Sequence, residues 1–175
     1  DDLQFTVIET AKYCQFSREL DVGRIKIDLL AAPLGSFAAL VPKDSRRVKP
    51  QPSVKLHASK LEEAIGVEQG AMRIPISGSN SQGQPHSTEV LIPQTLSYLL
   101  MKLHAFGDRH GDSNKDFGRH HALDIYRIVG LLTEDEDKLV AKLRDEFSTH
   151  PMMLAAQEIV REHFSDRNAL GLLRI

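Results

Sequence analysis

Apolar residues in residues 1–92 fall in short runs of alternating or β-branched character, whereas from residue 93 onward they recur every three or four positions. The first pattern is clearest in Arg24-Ile25-Lys26-Ile27-Asp28-Leu29-Leu30. There Ile25, Ile27 and Leu29 share one face of an extended chain, and Lys26 and Asp28 share the other. This predicts a strand entered from a turn at Asp21-Val22-Gly23. Residues 3–10, rich in β-branched and aromatic side chains, predict another, as do residues 72–76 and 89–92. Between the last two, residues 77–87 offer nothing apolar to bury and read as a long, flexible hairpin loop. Pro42, Pro50 and Pro52 set among charges argue against regular structure over residues 42–53. Ser59-Lys60-Leu61-Glu62 has the spacing of a capping box and predicts the start of a short helix.

The second pattern is helical. Pro93 suits a first helical position, and Leu96, Leu99, Leu100, Leu103 and Phe106 follow at helical spacing. Residues 107–114 break the pattern, and a second helix is expected from about Asp116 to Leu132. Thr133-Glu134-Asp135-Glu136 is a capping box for a third helix ending near Phe147. Pro151 opens a fourth, and Asp166 is placed to cap a short last one. The expected class is therefore α+β: a mixed or antiparallel sheet over residues 1–92, then a helical bundle over residues 93–175.

Composition narrows the function classes. A hydrophobic content of 41% and a charged content of 26% are those of an ordinary globular protein. No stretch approaches the roughly 18–20 apolar residues that span a bilayer, and the first residues lack the basic start and apolar run of a signal peptide. No membrane association is expected. Cys14 is the only cysteine and cannot form an internal disulfide, which fits a reducing compartment and an expected cytoplasmic location. A buried, inert thiol is favoured there over a catalytic one.

A net charge of -2 excludes a strongly basic nucleic-acid binder, but the charge is unevenly spread. Lys43, Arg46, Arg47, Lys49, Lys55 and Lys60 form a basic strip opposed only by Asp44, while residues 133–147 are acidic. The strip suits phosphates or a nucleic acid, and a solvated loop accounts for it equally.

The candidate chemistry lies on the expected helical hairpin of residues 93–132. Lys102 and Arg109 are seven residues apart, so at about 100° per residue they nearly overlay beside the apolar stripe. On the next helix Phe117, His121, Asp124, Ile128 and Leu131 fall within about 40° of one another, which places Asp124 in the middle of a buried face. A buried carboxylate needs a cation, and Lys102 and Arg109 are the candidates. Either an ion pair stapling the hairpin or a functional site built on that pair follows. Asp116, beside Lys115, favours the dipole at the second helix's start. His104, His110, His120 and His121 crowd the same region, but their spacing matches no standard zinc pattern.

Lys102-Leu103-His104-Ala105-Phe106-Gly107-Asp108-Arg109, followed by Lys115-Asp116 and then Asp124, resembles the helical motif of the abortive-infection nucleotidyltransferase toxins of the AbiEii type, within the polymerase-β-like superfamily. Residues 24–28 are similar to that family's strand bearing its third metal-binding carboxylate, so the resemblance spans residues 24–132. It implies the remnant of a nucleotidyltransferase fold and transfer of a nucleotide from a nucleoside triphosphate to RNA, protein or a small molecule. Asp28 would be a catalytic ligand of magnesium, and Lys102 a catalytic residue. Lys102 and Arg109 would contact the triphosphate, with Asp116 and Asp124 orienting them. The partner implied by a toxin–antitoxin pair is an antitoxin protein. The family's Gly-Ser and Asp-x-Asp signature does not occur in the 27 residues before Asp28, and Gly35-Ser36 lies on the wrong side of it. The expectation is an enzyme in the full-length protein and a truncated or degenerate, inactive chain by itself. The alternative is a non-catalytic module that docks a partner such as an antitoxin.

Overall fold

The computed structural model describes residues 4–8, 14–31, 47–48, 58–80 and 82–175. The chain divides into two compact units, Asp1–Glu62 and Glu63–Ile175. Strands dominate the described residues up to Ile92 and helices those beyond it, so the class is α+β.

In the first unit, β1 (Thr6–Val7), β2 (Gln15–Leu20) and β3 (Gly23–Asp28) form an antiparallel sheet in that order. The register pairs Phe16 with Ile27 and Arg18 with Ile25, which puts Phe16, Ile25 and Ile27 on one face. Lys26 and Asp28 lie on the other, opposite Ser17 and Gln15, as the alternation predicts. The turn at Asp21-Val22 closes this hairpin. The strand expected over residues 3–10 is present as β1, while Leu3, Glu9 and Thr10 lie outside the described residues.

After Asp28 the chain changes sheets. β4 (Leu30–Ala31) runs parallel to β6 (Ala58–Lys60), and β5 (Arg47–Val48) pairs antiparallel with β6 from the other side. Ser59 is therefore in a strand, not at the head of a helix. Its backbone N–H donates to Leu29 O at 2.9 Å, and that of Leu61 donates to Ala31 O at 2.9 Å. Sheet pairing claims the Ser59 N–H that a capping box would have used, and Gly66, at a φ of 66°, ends the segment too soon for a helix. Apart from Arg47 and Val48, the proline-rich crossing at residues 42–53 lies outside the described residues, as does most of the basic strip.

The second unit opens with a ribbon, β7 (Met72–Ser79) and β8 (Pro85–Ile92), paired from Met72↔Ile92 to Ser79↔Pro85. Strand pairing covers residues 77–79 and 85–87 of the long loop expected at residues 77–87. Between the strands, Asn80 Oδ1 accepts from the N–H groups of Gln82 and Gln84 at 3.0 and 2.9 Å. A solvated ribbon needs only its backbone ladder, so a polar composition does not preclude strands.

Four helices follow among the described residues: α1 (Thr95–Arg109), α2 (Arg119–Gly130), α3 (Glu134–Glu146) and α4 (Pro151–His163). Gln94 is the N-cap of α1, its side chain accepting from Leu96 N at 2.6 Å, so Pro93 stands before the helix rather than inside it. Gln94 Nε2 also donates to Ser97 Oγ at 2.8 Å, and Ser97 Oγ donates to Ile65 O at 2.5 Å. This fully buried chain anchors α1 to residues 64–70. The stripe Leu96, Leu100, Leu103 and Phe106 fills the core with Ile65, Ala122, Ile125, Leu143, Met153 and Ala156.

Gly107 does not break α1. A Cβ there would meet Ile159 Cδ1 at 2.9 Å, so glycine permits α4 to approach the continuing helix. The α3 capping box is complete: Thr133 and Glu136 exchange side-chain and backbone hydrogen bonds, and Glu136 Oε1 also accepts from Thr95 Oγ1 at 2.9 Å. Pro151 occupies the first turn of α4, and His150 caps it. The last helix is a single 3-10 turn, Leu172–Arg174; Asp166 instead caps a turn at Asn168. No helix among the described residues is long and apolar enough to cross a membrane.

Candidate functional site

Beyond the apolar core, two polar side-chain contacts among the described residues tie α1 to α2. Lys102 Nζ lies 2.7 Å from Asp124 Oδ2, and Arg109 Nη1 lies 2.5 Å from His121 Nε2. Moving forward along α1 moves backward along α2, so the two helices are an antiparallel hairpin.

Asp124 is not in the middle of the buried face. The buried positions are Gly118, His121, Ala122 and Ile125, and Asp124 flanks them with its side chain 28% exposed. The phase shifts because two residues used to set it lie outside α2: Phe117 precedes the helix, and Leu131, its C-cap, is 78% exposed. At this edge Lys102 reaches the carboxylate along the core, with its side chain 21% exposed. Burial alone would push the Lys102 ammonium down, but the hydrogen bond to Asp124 and the neighbouring Tyr98 outweigh it and hold it above its ordinary value. The ammonium also sits 5.1 Å from the centre of the Tyr98 ring.

Arg109 takes no part in that pair. Besides His121, its Nη1 reaches only the Ala105 carbonyl, at 3.5 Å, and no carboxylate pairs with it among the described residues. Its charge is therefore directed but not neutralised. His121 is 8% exposed, and its Nδ1 is buried without a hydrogen-bond partner among the described residues. Burial, then the adjacent His120, then Arg109 and Lys102, push its pKa from the usual histidine value down to about 4, with Asp124 opposing. The imidazole is thus neutral at ordinary pH.

Asp116 stands apart from both contacts. The second helix begins at Arg119, not at Asp116, because Asp116, Phe117 and Gly118 take left-handed conformations in succession, with φ of 48°, 52° and 72°. Such a turn costs roughly 1–2 kcal/mol for each non-glycine residue. Gly118 is favoured at its end, where φ is positive and a Cβ would crowd Phe106 Cδ2 at 3.3 Å. The guanidinium carbon of Arg174 lies 4.4 Å from the Phe117 ring centre, covering that side chain. Asp116 is exposed and makes no ion pair among the described residues.

His104 and His110 have structural partners. His104 Nε2 contacts Met152 O at 3.0 Å, and His110 Nδ1 contacts Gly107 O at 2.7 Å. His110 also lies against His163, with ring centres 4.4 Å apart. Asp28 belongs to the first unit, exposed at the end of β3 opposite Gln15. Among the described residues no group of three or more His, Cys, Asp or Glu side chains is arranged to hold a metal ion.

Two participants escaped the sequence reading: Tyr98, one turn before Lys102, and His121 as the acceptor for Arg109. The signal for His121 was available in the hairpin itself. A cation beyond Lys102 on α1 faces residues before Asp124 on an antiparallel partner, and His121 is a polar residue on that helix's inner face there. Comparison of the chain with protein-family models, with curated proteins and with solved structures finds no match.

Proposed function

We propose that the α1–α2 hairpin is the phosphate-holding part of a nucleotidyltransferase-like protein, which moves a nucleotide from a nucleoside triphosphate to an RNA, protein or small-molecule acceptor. The observation that carries this reading is the pair of half-buried cations on one side of α1, seven residues and about 10 Å of helix apart. They are held in different ways. Lys102 is fixed by the Asp124 carboxylate, while Arg109 rests on neutral acceptors and keeps its charge for an anion. Phosphoryl chemistry is driven chiefly by positioning and by neutralising charge on phosphate oxygens, so prearranged cations are what a triphosphate site needs. Asp124 keeps the Lys102 ammonium charged and aimed. Tyr98 covers its flank.

The test is calorimetric titration of the protein with ATP and with inorganic triphosphate. Micromolar-range binding is expected to weaken about tenfold or more in Arg109→Ala and in Lys102→Ala, the loss of one charge-assisted hydrogen bond each. Unchanged affinity in both variants overturns the reading.

A second reading, a non-catalytic module docking a partner protein such as an antitoxin, is favoured by one specific feature. Met72, Ile74, Ile76 and Ile92 line one exposed face of the β7–β8 ribbon. This reading predicts no triphosphate affinity at all.

A further inference from the structure

We propose that His121 is a positioning residue that aims Arg109 at its anion through a neutral imidazole held in the Nδ1–H tautomer. The proposal rests on the phosphate reading above and adds to it the device that leaves Arg109 both oriented and charged.

A guanidinium has donors and no lone pair. With Arg109 Nη1 at 2.5 Å, His121 Nε2 must be the accepting nitrogen, and the imidazole proton is left on Nδ1. Protonating Nε2 would set two cations against each other in a buried position. The charged and titratable groups facing the ring are Lys102 and Arg109 from α1, and His120 and Asp124 from α2. Three of these four oppose an imidazolium, and the one carboxylate is already engaged by Lys102.

The choice of histidine follows from comparison with other acceptors. An Asp or Glu at position 121 would hold the guanidinium more strongly, but with Asp124 already on Lys102 it would leave the pair of cations with no net charge to offer an anion. An aliphatic side chain would leave the charge and lose the aim. A neutral imidazole supplies direction without neutralisation. Its Nδ1–H is left buried with no partner among the described residues, the cost that this tautomer carries. Ala105 O, at 3.5 Å, is too distant to orient the group alone.

The experiment combines ring-nitrogen NMR of the folded protein with calorimetric titration of inorganic triphosphate. The variants are His121→Gln, which offers a neutral oxygen at the reach of Nε2, His121→Leu, which offers none, and His121→Glu, which offers a charged one. In the wild type, His121 Nε2 is expected to be unprotonated and Nδ1 protonated near neutral pH, and Arg109→Ala is expected to abolish that preference. Triphosphate affinity is expected to stay within about threefold in His121→Gln and to fall about tenfold or more in His121→Leu and His121→Glu. Circular dichroism establishes that each variant is folded, and His121→Gln keeps the test decisive if His121→Leu is not. A protonated Nε2 in the wild type overturns the proposal whatever the affinities. Wild-type binding matched by His121→Glu overturns it too, while leaving the phosphate reading intact. Absence of triphosphate binding by the wild type overturns the phosphate reading itself, and with it the role assigned to His121.

Discussion

The second unit contains two antiparallel hairpins of similar simplicity, and they treat their side chains in opposite ways. In the α1–α2 hairpin, apolar positions are sealed: Phe106 is 0% exposed, and Leu100, Leu103, Ala122 and Ile125 join it in the core. The charged groups there lie at the seam's edge, where Lys102 meets Asp124 and Arg109 reaches the buried His121. In the β7–β8 ribbon, only Val90 is even partly buried. Met72, Ile74, Ile76 and Ile92 share one face with Val90, and Arg73, Leu91 and Glu89 occupy the other. The ribbon is held by its ladder, by the Arg73–Glu89 ion pair at 3.5 Å and by Ser77 against Ser87 at 3.1 Å. What separates the two is desolvation. Charged groups are costly to misplace only where water is excluded, so the helical hairpin can hold a cation in a set direction and the ribbon cannot.

The contrast predicts unequal responses to substitution. Phe106→Ala removes a side chain that touches His110, His163 and Phe164 and fills the space beneath Gly118. Loss of about 3–5 kcal/mol in urea unfolding is expected, the range for emptying an aromatic core site. A loss under about 1 kcal/mol would mean that the α1–α2 seam is not the sealed half of the comparison. Asp124→Ala comes next. It strips the anion from a half-buried ammonium, but Lys102 keeps a partly exposed path to water, so roughly 1–2 kcal/mol is expected, with a smaller loss in Asp124→Asn.

How much of this was legible in the sequence differs in the same way between the hairpins. Burial leaves a period, so the stripe from Leu96 to Phe106 and the capping box at Thr133 and Glu136 could be read directly. The Lys102–Asp124 pair could be read too, although its depth was overestimated because Phe117 belongs to a left-handed turn that no period announces. A solvated ribbon leaves no such trace, and residues 77–87 looked like loop because their strands bury nothing. Arg109 was assigned to a carboxylate because charge was matched with charge. A neutral acceptor is invisible to that rule.

Acid should distinguish the hairpins as well. His121, with its pKa lowered to about 4, and His163, lowered chiefly by burial, are neutral in the folded state at a pH where the unfolded chain binds protons. The contribution of His121 to stability is complete above the ordinary histidine value near 6.5 and is lost as pH falls toward about 4, and that of His163 weakens in the same direction. Urea midpoints of the second unit should therefore decline across that window, and His121→Gln should decline less steeply. A midpoint independent of pH between those limits would show that His121 is not held neutral by its surroundings.

The smallest expected effect bears most directly on the ribbon. Ile76→Ser on the apolar face and Leu91→Ser on the opposite face both alter side chains that are exposed in the structure. Each should change stability by no more than about 0.5 kcal/mol. The pair is more informative than either member, because an isolated two-stranded ribbon is marginal in water and gains from any cover over its apolar side. Equal, small losses mean that water reaches both faces and the contrast with α1–α2 stands. A loss of about 2 kcal/mol confined to Ile76→Ser would mean that the apolar face is covered in the working protein. The ribbon would then belong with the helical hairpin as a buried element, and the docking reading would lose the surface on which it depends.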